Sequence, residues 1–270
     1  MSGAGKKTIV LLALLGLGFC APAALAPWLA PYDPGGLDLA GALDPPGAAH
    51  WLGQDESGAD ILSRLLYGAR VSLLVGVATV LVSASLGTLV GLLAGYAGGW
   101  VEQALMRLVD VLLAFPGLLL AIAFAAVLGP GLGNVLVALC LLGWTGYARV
   151  VRSQVLVVRQ LGYVEAAEAL GMGHGRIMAL HVLPNVLPVV WVQASFGLAG
   201  AILAEASLSF LGLGLPPGTA SWGAMLADGK AVLMQAPHVS LFPGLCILCV
   251  VLGFNLLGDA LADWLDPRRR

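Results

Sequence analysis

Charge is what this chain has least of. Lys, Arg, Asp and Glu together make up 10% of its 270 residues, against 59% hydrophobic residues. Soluble domains carry about a quarter charged residues, so a water-soluble globule is excluded and an integral membrane protein is expected. Cysteine is also scarce. The four, Cys20, Cys140, Cys246 and Cys249, all fall in apolar runs, which argues against an extracellular disulfide framework. Cys246 and Cys249 have the spacing of a redox or metal pair, but no second pair or nearby histidine completes a site. The histidines, His50, His174, His181 and His238, are scattered, without the spacing that zinc chemistry requires, and no Gly-x-Ser-x-Gly is present. Catalysis is therefore not expected, nor is any cofactor or metal in this chain.

Two further scarcities bear on energetics. Gly3-Ala4-Gly5-Lys6-Lys7-Thr8 resembles a phosphate loop but lacks the earlier glycine and the Ser or Thr directly after the first lysine. Mid-membrane charge, which ion-coupled carriers use, is limited to Glu205 near the outer end of one span and Asp259 near the inner end of another. Glu205 can face a translocation path or reach the outer interface. Any energy source is expected to lie outside the chain.

Long apolar runs are what remains. A bilayer core needs about 20 apolar residues in a helix, and residues 9–29, 71–95, 109–128, 135–151, 186–208 and 241–261 meet or approach this, predicting six spans. With both termini inside, Lys6, Lys7, Arg107, Arg149, Arg152, Arg159, Arg176 and Arg268 to Arg270 face the cytoplasm, and only Arg64, Arg70 and Lys230 lie outside. This follows the positive-inside rule. The first run has signal-peptide features, but its length and Pro27 after the candidate cleavage point favour a retained helix. Phe19 before Cys20 fits a lipoprotein site badly.

The connecting segments carry the polar signals. After the first span, residues 31–60 are rich in Pro, Gly and Asp. Asp55, Glu56 and Asp60 are expected to form a solvated acidic loop capping a short interfacial helix, in which Ile61, Leu62, Leu65 and Leu66 flank Arg64. Glu102, Arg107 and Asp110 are spaced along one helix and are expected to pair locally, with a cytoplasmic partner as the alternative. Phe115-Pro116-Gly117 suggests a kink in the third span.

The longest polar interruption lies in the second half. In residues 163–170, Tyr163, Ala166, Ala167 and Leu170 share one helical face and Glu165 and Glu168 another, predicting a short amphipathic helix. Gly171, Gly173 and Gly175 would let the backbone turn sharply. A second helix from Arg176 would lead into the next span, tolerating Pro184 and Pro188 near its start. The segment is either a plain connector or a docking surface.

Glu165-Ala166-Ala167, three residues, Gly171 and then Leu183-Pro184 resembles the signature loop of ABC-importer permeases. Trp51-Leu52-Gly53, Ser63-Arg64-Leu65-Leu66-Tyr67-Gly68-Ala69-Arg70, Ser207-Leu208-Ser209-Phe210-Leu211-Gly212-Leu213-Gly214, Ser221-Trp222-Gly223 and Phe254-Asn255-Leu256-Leu257-Gly258-Asp259 extend the resemblance to the dipeptide, oligopeptide and nickel branch. Within it, the chain is most similar to the second, C-type permease. The resemblance implies an all-α, type I permease fold of six membrane helices, with a core over residues 69–262, an N-terminal part over 1–68 and a basic tail over 263–270. It implies a second, homologous permease, two ATP-binding subunits that use ATP and Mg, and an extracytoplasmic solute-binding protein, with no nucleic acid. Glu165, Ala166, Ala167, Leu170, Gly171, Met172, Gly173, His174 and Pro184 would form the ATPase-coupling segment. Gln54 and Ala59 depart from the pattern, which usually has Thr and Arg there. A stand-alone channel or secondary carrier is the alternative.

Overall fold

The computed structural model describes residues 10–12, 14–216 and 218–265. Lys6, Lys7, the phosphate-loop-like stretch and Arg268 to Arg270 lie outside them. Among the described residues every extended element is a helix, and the remaining contact of strand type is a single isolated bridge between Gln54 and Asp60 in the 30–60 loop. The four cysteines are free.

Helix α1, Ile61–Ala97, is 37 residues long and so about 55 Å. Asp60 caps it, its carboxylate accepting from the Ser63 amide at 2.8 Å. It ends at Gly98, whose φ of 65° suits only glycine well. The expected interfacial helix before the span is thus the first turns of one continuous helix, and its Arg64 is buried. Helix α2, Gly99–Leu113, and helix α3, Gly117–Leu128, meet at 82°. Pro116 takes an extended conformation there, since its ring clashes with a preceding helical carbonyl. The predicted third span is broken rather than kinked, and α3 alone, at 12 residues, reaches only about 18 Å.

Helix α4, Leu132–Val158, lies along α1. Glycines at every fourth position of α1 permit the approach: a Cβ on Gly91 would stand 2.6 Å from the Ala148 carbonyl, and one on Gly95 2.7 Å from the Val155 Cβ. Small residues at this spacing let membrane helices pack backbone to backbone. Helix α5, Gly162–Ala169, and a turn at His174–Ile177 follow. A π-helical segment, Met178–Val182, then leads into α6, Leu183–Phe210, which holds Pro184 in its first turn. The wider π turn gives room before a residue that has no amide hydrogen. Helix α7, Trp222–Gly229, and α8, His238–Leu265, complete the fold.

Among the described residues four helices are long and apolar enough to cross a membrane, or five if the bent α2–α3 pair counts as one span. The first of the six expected spans is not among them, its described residues being divided into short helical pieces. A π turn at Gly16–Cys20 is followed by Ala21–Ala24 and Ala26–Leu29, each of the last two with a proline in its first turn. That run is nonetheless built into the core. Leu15 and Ala23 are buried with Ile61, Leu65, Trp222 and Phe254, and Phe19 meets Trp222 edge to face at 6.1 Å between ring centroids.

Candidate functional site

The ends of α1 and α4 and the start of α6 meet at one end of the bundle, where α5 packs against them. Val164 and Ala167 face inward and are buried beside Val155, Val158 and Ile177. This corrects the predicted apolar face. Tyr163, Ala166 and Leu170 point outward with Glu165, and the Leu170 side chain is 86% exposed.

The turn after α5 has a specific construction. The Gly171 amide donates to the Glu168 carbonyl at 2.9 Å and the Met172 amide to the Ala167 carbonyl at 3.1 Å, the paired bonds of a Schellman cap. Gly171 has φ 77°, and Met172 packs in the same apolar cluster as Ala167. Only Gly171 needs glycine's freedom: Gly173 has φ −64°, and Gly175 lies within the helical turn that His174 begins. The expectation that all three glycines serve the turn is corrected accordingly.

Side-chain bonds fix this end to the bundle. Tyr96, in the last turn of α1, donates to Glu168 at 3.0 Å and lies 3.1 Å from Nδ1 of His174. Arg159 donates to the Tyr96 carbonyl at 3.3 Å. Pro184 stands in the first turn of α6, apart from these contacts. Neither Glu102 nor Asp110 pairs within its own helix: Glu102 accepts from Arg152 Nε at 2.7 Å and Asp110 from Arg149 at 2.7 Å, joining α2 to α4. This corrects the expectation that Glu102, Arg107 and Asp110 pair with one another along one helix: the partners of both carboxylates lie on α4.

At the opposite end, Asp55 and Asp60 are buried rather than solvated. Asp55 accepts from the Ser57 and Ala59 amides at 2.8 and 3.0 Å and pairs closely with Arg64, whose other arm reaches Asp228 of α7 at 3.2 Å. Asp60, besides capping α1, lies 3.0 Å from Nδ1 of His50. Gln54 and Ala59, the two departures noted above, are buried within this loop, and Gln54 donates to the Gly58 carbonyl at 2.6 Å. Both act on the loop's own structure.

Glu205 is fully buried and accepts from the hydroxyls of Ser72, Ser209 and Ser221 at 3.2, 2.8 and 3.1 Å. It is a polar tie between α1, α6 and the start of α7. Sequence reasoning missed the serine partners, although Ser209 lies one helical turn after Glu205 on the same face.

Midway along the bundle, a cavity of about 330 Å3 lies between α1, α3, α4 and α6. Thr79, Ser83, Tyr147 and Gln193 contribute its polar groups, and Gly117, Gly143, Gly197 and Gly200 shape its walls. These residues were not singled out from sequence. Serine and threonine in an apolar helix give little signal, since they commonly bond back to their own helix.

The family model for binding-protein-dependent transport system inner membrane components matches residues 87–270. The chain is 42% identical to the probable D,D-dipeptide transport system permease protein DdpC of Escherichia coli K12 over 243 residues, covering 90% of this chain and 82% of that protein. It is 46% identical over 247 residues to the glutathione transport system permease protein GsiD of Escherichia coli O6:K15:H31, covering 91% and 82%. The corresponding GsiD of Pectobacterium atrosepticum is 45% identical, with 90% and 81% covered. In fold, the chain is similar to the inward-facing MetNI methionine ABC transporter, with TM-score 0.56 at 19% identity, over 76% of this chain and 96% of that one. The chain belongs to the family of binding-protein-dependent transport system inner membrane components, as a multi-pass, non-catalytic permease subunit of an ABC importer.

Proposed function

We propose that α5 and its Schellman turn are the coupling element through which partner ATPases, using ATP and Mg, drive this permease. The observation that carries the reading is the division of α5 into two faces. Val164 and Ala167 anchor it to the bundle, while Leu170, Ala166 and Glu165 are exposed at the surface beside Tyr163, whose hydroxyl reaches the His181 carbonyl. An exposed leucine at the end of an anchored helix is a knob suited to an apolar groove. Tyr96 ties that helix to α1, and Arg159 at the end of α4 holds the Tyr96 carbonyl, so a push on α5 reaches the helices around the central cavity.

The end bearing α5 is cytoplasmic on this reading. Arg149, Arg152 and Arg159 near the end of α4 and Arg176 after α5 lie there, in keeping with the positive-inside rule, and we assign both termini to the same side. A second, homologous permease completes the pore as a heterodimer. An extracytoplasmic binding protein delivers solute at the end formed by the 30–60 loop and α7. Short peptides are the favoured cargo over nickel, because relatives at 42–46% identity are named for D,D-dipeptide and glutathione transport.

Co-expression of this chain with the partner permease, ATPases and binding protein, followed by reconstitution, tests the reading. Peptide uptake should require ATP, and Gly171→Trp should preserve insertion while uncoupling hydrolysis from uptake. Solute flux through the chain alone, or unchanged uptake with Gly171→Trp, would refute it.

A further inference from the structure

The central cavity has polar equipment that the fold does not use. Thr79 and Ser83 are both buried, yet among the described residues neither hydroxyl has a hydrogen-bond partner. The Cys140 thiol lies beside Thr79, but a thiol is a weak partner. Helical hydroxyls normally bond to a carbonyl three or four residues back. Thr145, Ser153, Ser195 and Ser207 of this chain do so, at 2.7 to 3.3 Å. Thr79 and Ser83 instead line the cavity, one helical turn apart and so roughly 6 Å from each other.

The walls are shaped for contents. A Cβ on Gly143 would run into the Ser83 hydroxyl and one on Gly197 into the Tyr147 hydroxyl, so both glycines make room for the polar groups of the wall. On Gly200, by contrast, a Cβ would meet nothing within 4 Å. Among the described residues no Asp, Glu, Lys, Arg or His lines the space. A net charge would therefore enter the space without a counter-charge, losing solvation that nothing in the lining replaces. Hydroxyls can donate and accept, as the N–H and C=O of an amide require. The volume, about 330 Å3, is at the small end of the ligand-pocket range of roughly 300–1,000 Å3.

We propose that this cavity is a transient binding site for the uncharged amide unit of a short peptide, held by the Thr79 and Ser83 hydroxyls while its charged ends stay outside. The proposal rests on the chain being a translocating permease and adds what its pathway selects: amide groups with small side chains, read by neutral hydrogen bonds. Gly200 leaves the space that the peptide fills.

The test uses the assembled transporter in nanodiscs, with Cys20, Cys140, Cys246 and Cys249 replaced by alanine and Ser83→Cys or, separately, Thr79→Cys introduced. The rate of N-ethylmaleimide labelling is measured against increasing N-acetylalanine methylamide, an uncharged two-amide probe. Labelling should slow saturably, by about threefold when the probe reaches twice its dissociation constant. Adding Gly200→Leu should abolish that protection. Failure of the introduced thiols to label, absence of saturable protection, or equal protection by sodium acetate or octane would overturn the proposal. Copurification of the ATPases and their ATP hydrolysis, measured on the same samples, report separately on the permease reading.

Discussion

Removing the Asp55 carboxylate should loosen the outer loop far more than removing Asp228, although both pair with Arg64. Asp55 and Arg64 are buried, whereas the Asp228 side chain is 46% exposed. Asp55→Ala leaves a guanidinium in a buried setting with one partly solvated partner and deprives the Ser57 and Ala59 amides of their acceptor. Breaking a buried pair from one side costs about 3–5 kcal/mol. Asp228→Ala removes a pair open to water, worth about 0–1 kcal/mol. The difference of at least about 2 kcal/mol is roughly a 30-fold change in an opening equilibrium. Amide hydrogen exchange in nanodiscs reads that equilibrium locally. With Asp55→Ala, the amides of Ala59, Ile61 and Ser63 should exchange at least about 30-fold faster relative to Asp228→Ala. Equal acceleration by the two substitutions, or no acceleration by Asp55→Ala, would refute the assignment of Asp55 as the loop's central acceptor.

Leu170→Ala deletes a side chain that makes little use of its apolar surface within the chain. It should leave thermal stability unchanged while weakening ATPase binding by about 2 kcal/mol, roughly 30-fold, in a titration of ATPase onto the permease. Gly171→Ala places a Cβ in a left-handed backbone and should cost about 1–2 kcal/mol of local stability at the end of α5, visible as faster exchange of the Met172 amide. Glu205→Leu strands hydroxyls that now share one acceptor. It should lower the unfolding temperature well below that of Glu205→Gln, which keeps an acceptor. Gly91→Val should prevent α1 and α4 from packing and abolish stable expression, because its Cβ would overlap the Ala148 carbonyl.

The helical class and most of the spans are legible in hydropathy because a bilayer core demands long apolar runs. Direction is not legible in the same signal. Pro116 announces an interruption, but an 82° turn between α2 and α3 depends on what each half packs against. The first run is apolar enough to span, yet Pro22 and Pro27 divide its helix. In α5, the four residues chosen as one apolar face are separated by the fold. Val164 and Ala167 make as good a stripe as Tyr163, Ala166 and Leu170, and only the neighbouring helices decide between them.

The same ambiguity explains why the candidate solute site was harder to find than the candidate coupling site. α5 stands out because it is polar in an apolar chain, so its position is marked even where its faces are not. Inside the membrane region, apolar side chains face both lipid and protein, and hydrophobicity no longer distinguishes them. Small and hydroxylic residues carry the distinction instead. Gly87, Gly91 and Gly95 repeat at one helical turn because α4 crosses there, each with a would-be Cβ in contact with α4. One and two turns earlier on α1, Ser83 and Thr79 continue the same four-residue spacing, still beside Gly143 and Cys140 of α4, but there they border the cavity. A single register on α1 thus passes from close packing to an open polar pocket. The change becomes visible only when Gly143, Gly197 and Gly200 of the facing helices are placed opposite it.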